Sequence, residues 1–456
     1  MTIGPDATPR FAGFRELLYE HGKEVAVYAP EDYPETAESQ IPIRELRRKR
    51  QHGLEADDPR VAMTLTDVNG VLRWNNGYGY RHGTGLRRSR MRLDIEGEIV
   101  APVNFQKLEP SKIGEYLQFL DKKLTPQCDF QAPERGLREL VDGKFQNRGV
   151  TPIKKGRVLI FIHGTFSKNE MFLQELGMTA EGRLLLRKIQ NKQNYDQVLA
   201  FDHATLSLSP VLNAMDLAHI FQDSDANIDV ICHSRGGLVT RWWLETYKNS
   251  RRGATRAVMV GSPLAGTSLA AAPRLRAAIN LLTNVARVLE KGAALASITF
   301  PFFTVITGLL RVLASAGTMA AKTPAFDAAV ALIPGLSSQA LVSNNEELNR
   351  LNRLCTTKPN YYAIRSDFKP LDPGWEFWKY FVGATDRLKD WAADTVFEEA
   401  NDLVVDTASM TVLAKPPHQV DIVDMYDFRQ SSRVHHTVYF RQPETAAFIV
   451  QCLRLN

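Results

Sequence analysis

The chain has 456 residues, more than one average domain and fewer than four. Apolar residues make up 44% and charged residues 23%, which is ordinary globular usage and excludes a disordered, collagen-like or coiled-coil chain. The net charge is +5, from 56 basic against 51 acidic side chains, too slight an excess to argue for a nucleic-acid partner.

The first 30 residues carry Asp6, Arg10, Arg15, Glu16 and Glu20 and no apolar run. A secretory signal is therefore not expected, and cytoplasmic residence is the default, with export by a signal-independent route left open. Basic runs at 47–50 and 87–92 come without a nucleic-acid motif and read as solvated faces. Asn69-Gly70 separates apolar runs at 61–66 and 71–74, the strongest short hairpin pattern. Residues 111–124 read as an amphipathic helix with Ile113, Tyr116, Leu117 and Leu120 on one stripe. Residues 1–150 are thus expected to form a small accessory α+β region without assigned chemistry. The polar Gly- and Pro-containing stretch 144–156 is the expected boundary.

From residue 157 the texture changes. Short continuous apolar runs at 158–162, 198–201, 228–232, 257–260, 361–364 and 420–423 alternate with helical patterns at 170–189, 211–221, 236–247 and 346–354. Continuous runs suit strands buried on both faces. The alternation predicts an α/β fold, a mostly parallel sheet with helices on both faces, with functional residues at the carboxyl ends of the strands.

The run ending I-D-V-I-C-H-S-R-G-G-L-V places Ser234 on a tight strand-to-helix turn. Such a turn exposes a serine oxygen and leaves backbone N–H groups of the new helix free beside it. The usual spacing is G-x-S-x-G; here Cys232 replaces the first glycine and Gly236 keeps the last. A helix N-cap serine is the plainer reading of the same pattern. The strand ending V-L-I-F-I-H-G-T-F puts a second turn at this edge, and the N–H groups of Thr165 and Arg235 are the candidate oxyanion donors. His163 in that turn reads as structural. Ser262 and Ser268, in the loop G-S-P-L-A-G-T-S, read as structural too.

The succession H-G-T-F, then H-S-R-G-G-L-V-x-R, then G-S-P-x-x-G-T-S resembles the α/β-hydrolase superfamily over about residues 157–456. Within it the likeness is to the lipase/esterase branch, which includes bacterial triacylglycerol lipases and lecithin:cholesterol-acyltransferase-like enzymes. The resemblance implies a triad in the chain order Ser, acid, His. It makes Asp402, in N-D-L-V-V, the expected acid, although Leu403 stands where the family has Gly. Asp406 and Asp367 are the rivals. The histidine loop before the last helix holds His435 and His436, and H-T-x-Y-F favours His436 as the base.

Residues 269–342 are rich in Ala, Leu, Ile and Phe, and 292–310 carry no charge. The resemblance implies a helical cap over the active site. A buried helical hairpin and a membrane span are the other readings of the same run. A second insertion at 369–400 brings Trp375, Phe377, Trp378, Tyr380 and Phe381. The expected function is a serine carboxylic-ester hydrolase acting on a small-molecule ester or lipid through an acyl-serine intermediate. Phospholipase A, an acyltransferase, or a non-catalytic protein on the same fold are the alternatives. Transient lipid-surface contact through the cap is left open. No cofactor and no metal are expected: there is no G-x-x-x-x-G-K-[ST], no H-x-x-x-H and no CxxC, and the four cysteines Cys128, Cys232, Cys355 and Cys452 lie far apart.

Overall fold

A computed structural model describes residues 60–68, 71–76, 98–106, 112–124, 136–146, 149–247, 255–270, 279–280, 283–284, 310, 333–341, 345–353, 359–369, 400–413 and 421–456. The chain divides into two compact units, Met1–Tyr116 with Leu275–Leu332, and Leu117–Arg274 with Ile333–Asn456.

In the first unit β1 (Arg60–Val68) pairs antiparallel with β2 (Val71–Asn76) and with β3 (Glu98–Gln106). The pairing Val68↔Val71 is the hairpin expected around Asn69-Gly70. β2 is an edge strand, and two asparagines four residues apart cover it. Asn284 Nδ2 donates to Leu72 O at 2.8 Å and its Oδ1 accepts from Leu72 N at 2.9 Å. Asn280 Oδ1 accepts from Trp74 N at 2.8 Å, and Trp74 Nε1 donates to Thr283 Oγ1 at 3.0 Å. Helical spacing thus lets side chains do what a neighbouring strand would do, satisfying an edge that otherwise invites foreign pairing. The cap expected at 269–342 is accordingly divided: 275–332 falls in the first unit, and 269–274 and 333–342 in the second. Helix α1 (Ile113–Leu124) buries Ile113, Tyr116, Leu117 and Leu120, the expected stripe.

The second unit is built on an eight-stranded sheet, ordered β11-β10-β9-β8-β6-β7-β4-β5. Its strands are β4 (Gly136–Val141), β5 (Lys144–Gln146), β6 (Arg157–Ile162), β7 (Gln197–Asp202), β8 (Asn227–His233), β9 (Arg256–Val260), β10 (Asn360–Phe368) and β11 (Ile422–Ser431). From β6 to β11 all pairs are parallel; β4 and β5 form an antiparallel edge on β7. β4 and β5 correct the expected boundary, since the sheet begins at residue 136 and not after 150. Charges in G-L-R-E-L-V hid the strand. Arg138 is buried there because Asp202 and Glu170 receive its guanidinium, with Nε 2.6 Å from Asp202 Oδ2.

Both faces of the sheet are covered. Val158, Ile160 and Ile162 pack with Leu217, Phe221 and Trp243 on one side. Leu159 and Phe161 pack with Phe172, Leu185 and Ile449 on the other. That two-sided burial is why the strands read as unbroken apolar runs. The first layer of helices includes α2 (Glu170–Leu176) and α3 (Ala180–Gln190), where a single helix was expected. The break is chemical: Thr179 is extended at φ −113° and its side chain accepts from Gly182 N, so it starts a new helix. Next come α4 (Pro210–Ile220) and α5 (Gly236–Arg241), which continues as a π-helical stretch over Trp242–Tyr247. Short α6 (Pro334–Ser337) and α7 (Glu346–Leu351) follow, and α8 (Pro443–Leu453) closes the chain.

Among the described residues no helix is long and apolar enough to cross a membrane. The uncharged run 292–309 and the aromatic insertion 375–399 lie outside the described residues.

Candidate active site

The parallel register brings the carboxyl ends of four strands into line: Ile162↔Cys232, His233↔Val260 and Val260↔Ile364 are partners. Ser234 follows β8 directly. Its φ is +53°, the left-handed region, which an L side chain adopts at a cost of about 1–2 kcal/mol. Two hydrogen bonds hold it there: Ser234 N donates to Val260 O at 2.9 Å, and Gly237 N donates to Ser234 O at 2.9 Å. A side chain at Gly236 would run into the backbone carbonyl of Ile162, so the helix starts this close to β6 only because the position is glycine. Cys232 is fully buried, and burial pushes its thiol up to about 12, which makes it an inert small apolar residue.

The turn after β6 lies against the serine: a Cβ at Gly164 would sit 2.6 Å from Ser234 Cβ and 3.3 Å from its Oγ. Thr165 follows. Its Oγ1 accepts from Gln339 Nε2 at 3.0 Å, and the same amide nitrogen donates to Gly335 O at 2.8 Å. His163 turns away from this chemistry. Its Nδ1 lies 3.0 Å from Gly164 O, its ring stacks on His203 at 4.1 Å, and burial lowers its pKa. Arg235 begins the α5 turn, its carbonyl accepting from Leu238 N at 2.9 Å. Its buried guanidinium donates to Leu208 O at 2.6 Å and is pulled down to about 10 by desolvation. The guanidinium is therefore engaged with the chain at Leu208.

Asp402 and His436 meet. His436 Nδ1 is 2.9 Å from Asp402 Oδ2, and His436 N donates to Asp402 O at 2.9 Å. A carboxylate can only accept, so Nδ1 carries a proton. Asp402 is fully buried. Neutral donors stabilise it: Val404 N at 3.1 Å and Val405 N at 2.8 Å on Oδ1, and the Tyr439 hydroxyl at 2.9 Å on Oδ2. The tight turn that aims those amides puts Leu403 at φ +86°, the conformation a glycine would take without strain.

The rivals are engaged elsewhere. Asp406 Oδ2 accepts from Ser268 N at 2.8 Å, and Asp367 lies 3.6 Å from Lys369 Nζ. His435 packs edge-on against Phe368 at 5.3 Å, with Thr437 Oγ1 3.2 Å from its Nδ1. Burial lowers its pKa to about 4.

Four residues of the site escaped the sequence reading. His233, next to Ser234, donates from Nε2 to His436 O at 2.9 Å, and its ring centroid is 4.7 Å from that of His436. Burial and the neighbouring imidazole hold its pKa well below 6.5, so it stays a neutral donor. Tyr439 and Gln339 act as described. Arg241, the last residue of the motif H-S-R-G-G-L-V-x-R, pairs with Glu245 at 2.8 Å in full burial and donates to Leu264 O at 3.2 Å, tying down the loop after β9. Chain position could have suggested His233 and Arg241; nothing in the sequence marks Gln339. Among the described residues no three of His, Cys, Asp and Glu are grouped to hold a metal ion.

A family model described as "Domain of unknown function (DUF7379)" matches residues 137–454. No curated protein matches the chain. Among solved structures, the mature lipase BlEst2 of Bacillus licheniformis is 12% identical with a TM-score of 0.35, over 68% of this chain and 95% of its own. Phospholipase PlaB from Legionella pneumophila is 12% identical with a TM-score of 0.36, over 66% of this chain and 60% of its own. Lipase 1 from Pelosinus fermentans is 12% identical with a TM-score of 0.35, over 65% and 98%.

Proposed function

The chain belongs to the DUF7379 family, a domain of unknown function, and from its own site we propose that it is a serine carboxylic-ester hydrolase of α/β-hydrolase fold. One observation carries the reading: the Asp402–His436 hydrogen bond of 2.9 Å, in a loop tied to His233, the residue before a strained Ser234.

In this reading Ser234 Oγ attacks the ester carbonyl while His436 Nε2 takes its proton. Asp402 stabilises the imidazolium and fixes its tautomer. The N–H groups of Thr165 and Arg235 receive the oxyanion. The imidazolium then protonates the leaving alcohol, and the acyl group stays on Ser234. Water, deprotonated by His436, releases the acid and restores the serine. Loss of the proton-transfer chain removes both halves of the cycle.

The substrate class rests on the sequence: the uncharged run 292–310 suits an acyl chain. Each methylene moved from water to an apolar wall contributes ~0.8 kcal/mol, so four would supply ~3 kcal/mol, about a hundredfold in kcat/KM if realised in the transition state. A panel of p-nitrophenyl esters of graded length tests it, and preference for acetate over octanoate would end the lipid-ester reading. For the reaction itself, wild type should be labelled by a fluorophosphonate probe. Ser234→Ala should stay folded, escape labelling and lose on the order of 10⁴–10⁶ in kcat. Substantial turnover by the folded Ser234→Ala protein would sink the assignment. A phospholipid run beside the panel separates phospholipase A from simple esterase activity.

A further inference from the structure

Asp402 Oδ2 receives two donors, His436 Nδ1 and Tyr439 Oη, each at 2.9 Å. The phenol has one proton. Ionised Asp402 cannot donate, so that proton points at Oδ2. The remaining neighbours of the hydroxyl are weak or of the opposite sense: Met410 Sδ at 3.8 Å, and a backbone hydrogen bond from Ser366. Tyr439 is fully buried and its ring is fixed against Phe428 at 6.2 Å and His436 at 6.5 Å. Burial beside the carboxylate raises its pKa well above 10, so it keeps its proton throughout the working range. The phenol is therefore a preset neutral donor whose position does not depend on a flexible stem.

We propose that Tyr439 is a positioning residue for the catalytic pair: its hydroxyl holds the Asp402 carboxylate with Oδ2 toward His436 and takes up part of that oxygen's charge. The inference rests on the serine-hydrolase reading, in which His436 is the base. Two consequences follow. A carboxylate shared between two donors attracts a proton on His436 less strongly than one serving His436 alone, so removing the phenol should raise the His436 midpoint. And a carboxylate held on both oxygens has one orientation, which keeps the imidazole aligned as it becomes charged.

The groups around the pair make the shift readable. His233 and His435 face His436, and burial keeps both neutral at pH 7. Arg441 acts on His435 and is paired with Glu175 at 3.1 Å. Asp427 acts on Tyr439 and is paired with Arg365 at 2.8 Å. Glu175, whose burial lifts it to about 7, titrates inside the working range, so the titration is repeated in Glu175→Gln.

The test is Tyr439→Phe, which keeps the ring and removes the oxygen, read by the NMR titration of the His436 imidazole and by kcat and KM on a p-nitrophenyl ester. The His436 midpoint should rise by about one pH unit and the acid limb of kcat/KM should follow it. The value of kcat should fall about 10- to 100-fold, as for loss of a hydrogen bond to a charged group, with KM changed less than twofold. Fluorination of the Tyr439 ring beside the hydroxyl strengthens the donor without removing it, and should move the midpoint the opposite way. This second variant decides the matter should Tyr439→Phe fail to fold. An unmoved His436 midpoint in either folded variant would overturn the proposal, as would equal losses in kcat and KM accompanied by lower thermal stability alone. The imidazole titration needs no substrate. A wild type that is neither active nor labelled by fluorophosphonate would therefore defeat the hydrolase reading, while the midpoint shift still judges Tyr439.

Discussion

His233 Nε2 lies 2.9 Å from the backbone carbonyl of His436, so the residue before the candidate nucleophile carries the loop of the candidate base. The loop after β11 and the end of β8 are thereby fixed in one frame. His233→Ala would leave a buried carbonyl without its donor, a cost of about 1–3 kcal/mol, and should lower kcat about tenfold. Glutamine can present an amide N–H where Nε2 stood. His233→Gln should therefore recover most of the activity and the thermal stability. If alanine and glutamine behave alike in both measurements, the hydrogen bond is not what the histidine supplies.

The two adjacent histidines should separate cleanly. His436 meets Asp402, while His435 packs on Phe368 and neighbours Thr437. His436→Ala should inactivate as Ser234→Ala does, and His435→Ala should keep at least part of the activity. Steady-state kinetics on one ester decide it, and the reverse ranking would mean that the base has been misassigned.

His435 has a second use, as a probe of acid stability. Burial lowers its folded pKa to about 4, against 6.5 for the free side chain. The unfolded chain therefore binds a proton that the folded chain refuses. The stabilisation is complete above pH 6.5 and is lost as the pH falls toward 4. A shift of that size corresponds to at most ~3 kcal/mol. Buried Glu175, raised to about 7, works in the opposite sense over part of the window, so the total slope is not diagnostic. The difference between proteins is. Denaturant unfolding of wild type and His435→Asn at pH 7 and pH 4.5 should show a smaller acid loss for the variant. Parallel losses would show that His435 is not held neutral.

Much of the second unit was legible because its central strands β6 to β10 are buried on both faces and carry apolar runs; β11, expected from the run 420–423 as a buried strand, instead starts at Ile422 and leaves Val423 and Met425 exposed. Ser234 stands out by its strand-to-helix turn, whereas Asp402 and His436 are singled out by the resemblance; the structure brings those two within 2.9 Å of each other. What escaped has a common cause. β4 carries Arg138 and Glu139, and only the pairing of Arg138 with Asp202 and Glu170 explains burial of the strand. The grouping of 275–332 with the N-terminal unit depends on Asn280 and Asn284 side chains meeting the backbone of β2, across more than 200 positions. The break between α2 and α3 hangs on one capping threonine. In the first two cases a polar side chain finds its partner only in three dimensions; in the third the partner is three residues away, and in all three hydrophobic periodicity carries no trace of the contact.

Leu403 sets backbone strain against burial. Its φ is +86°, a conformation glycine adopts without strain. Yet the leucine side chain is buried, 2% exposed. The strain of an L residue in this region is about 1–2 kcal/mol. Removing a buried leucine costs about 2–5 kcal/mol. Burial therefore outweighs strain, and Leu403→Gly should destabilise the protein by about 1–3 kcal/mol. Leu403→Ala loses nearly the same burial and keeps the strain. It should be the less stable of the two by about 1 kcal/mol, the reverse of the usual ranking of alanine above glycine. Thermal or denaturant unfolding of both variants measures the difference. Alanine more stable than glycine at this position would show that the turn delivering Asp402 does not hold its left-handed backbone.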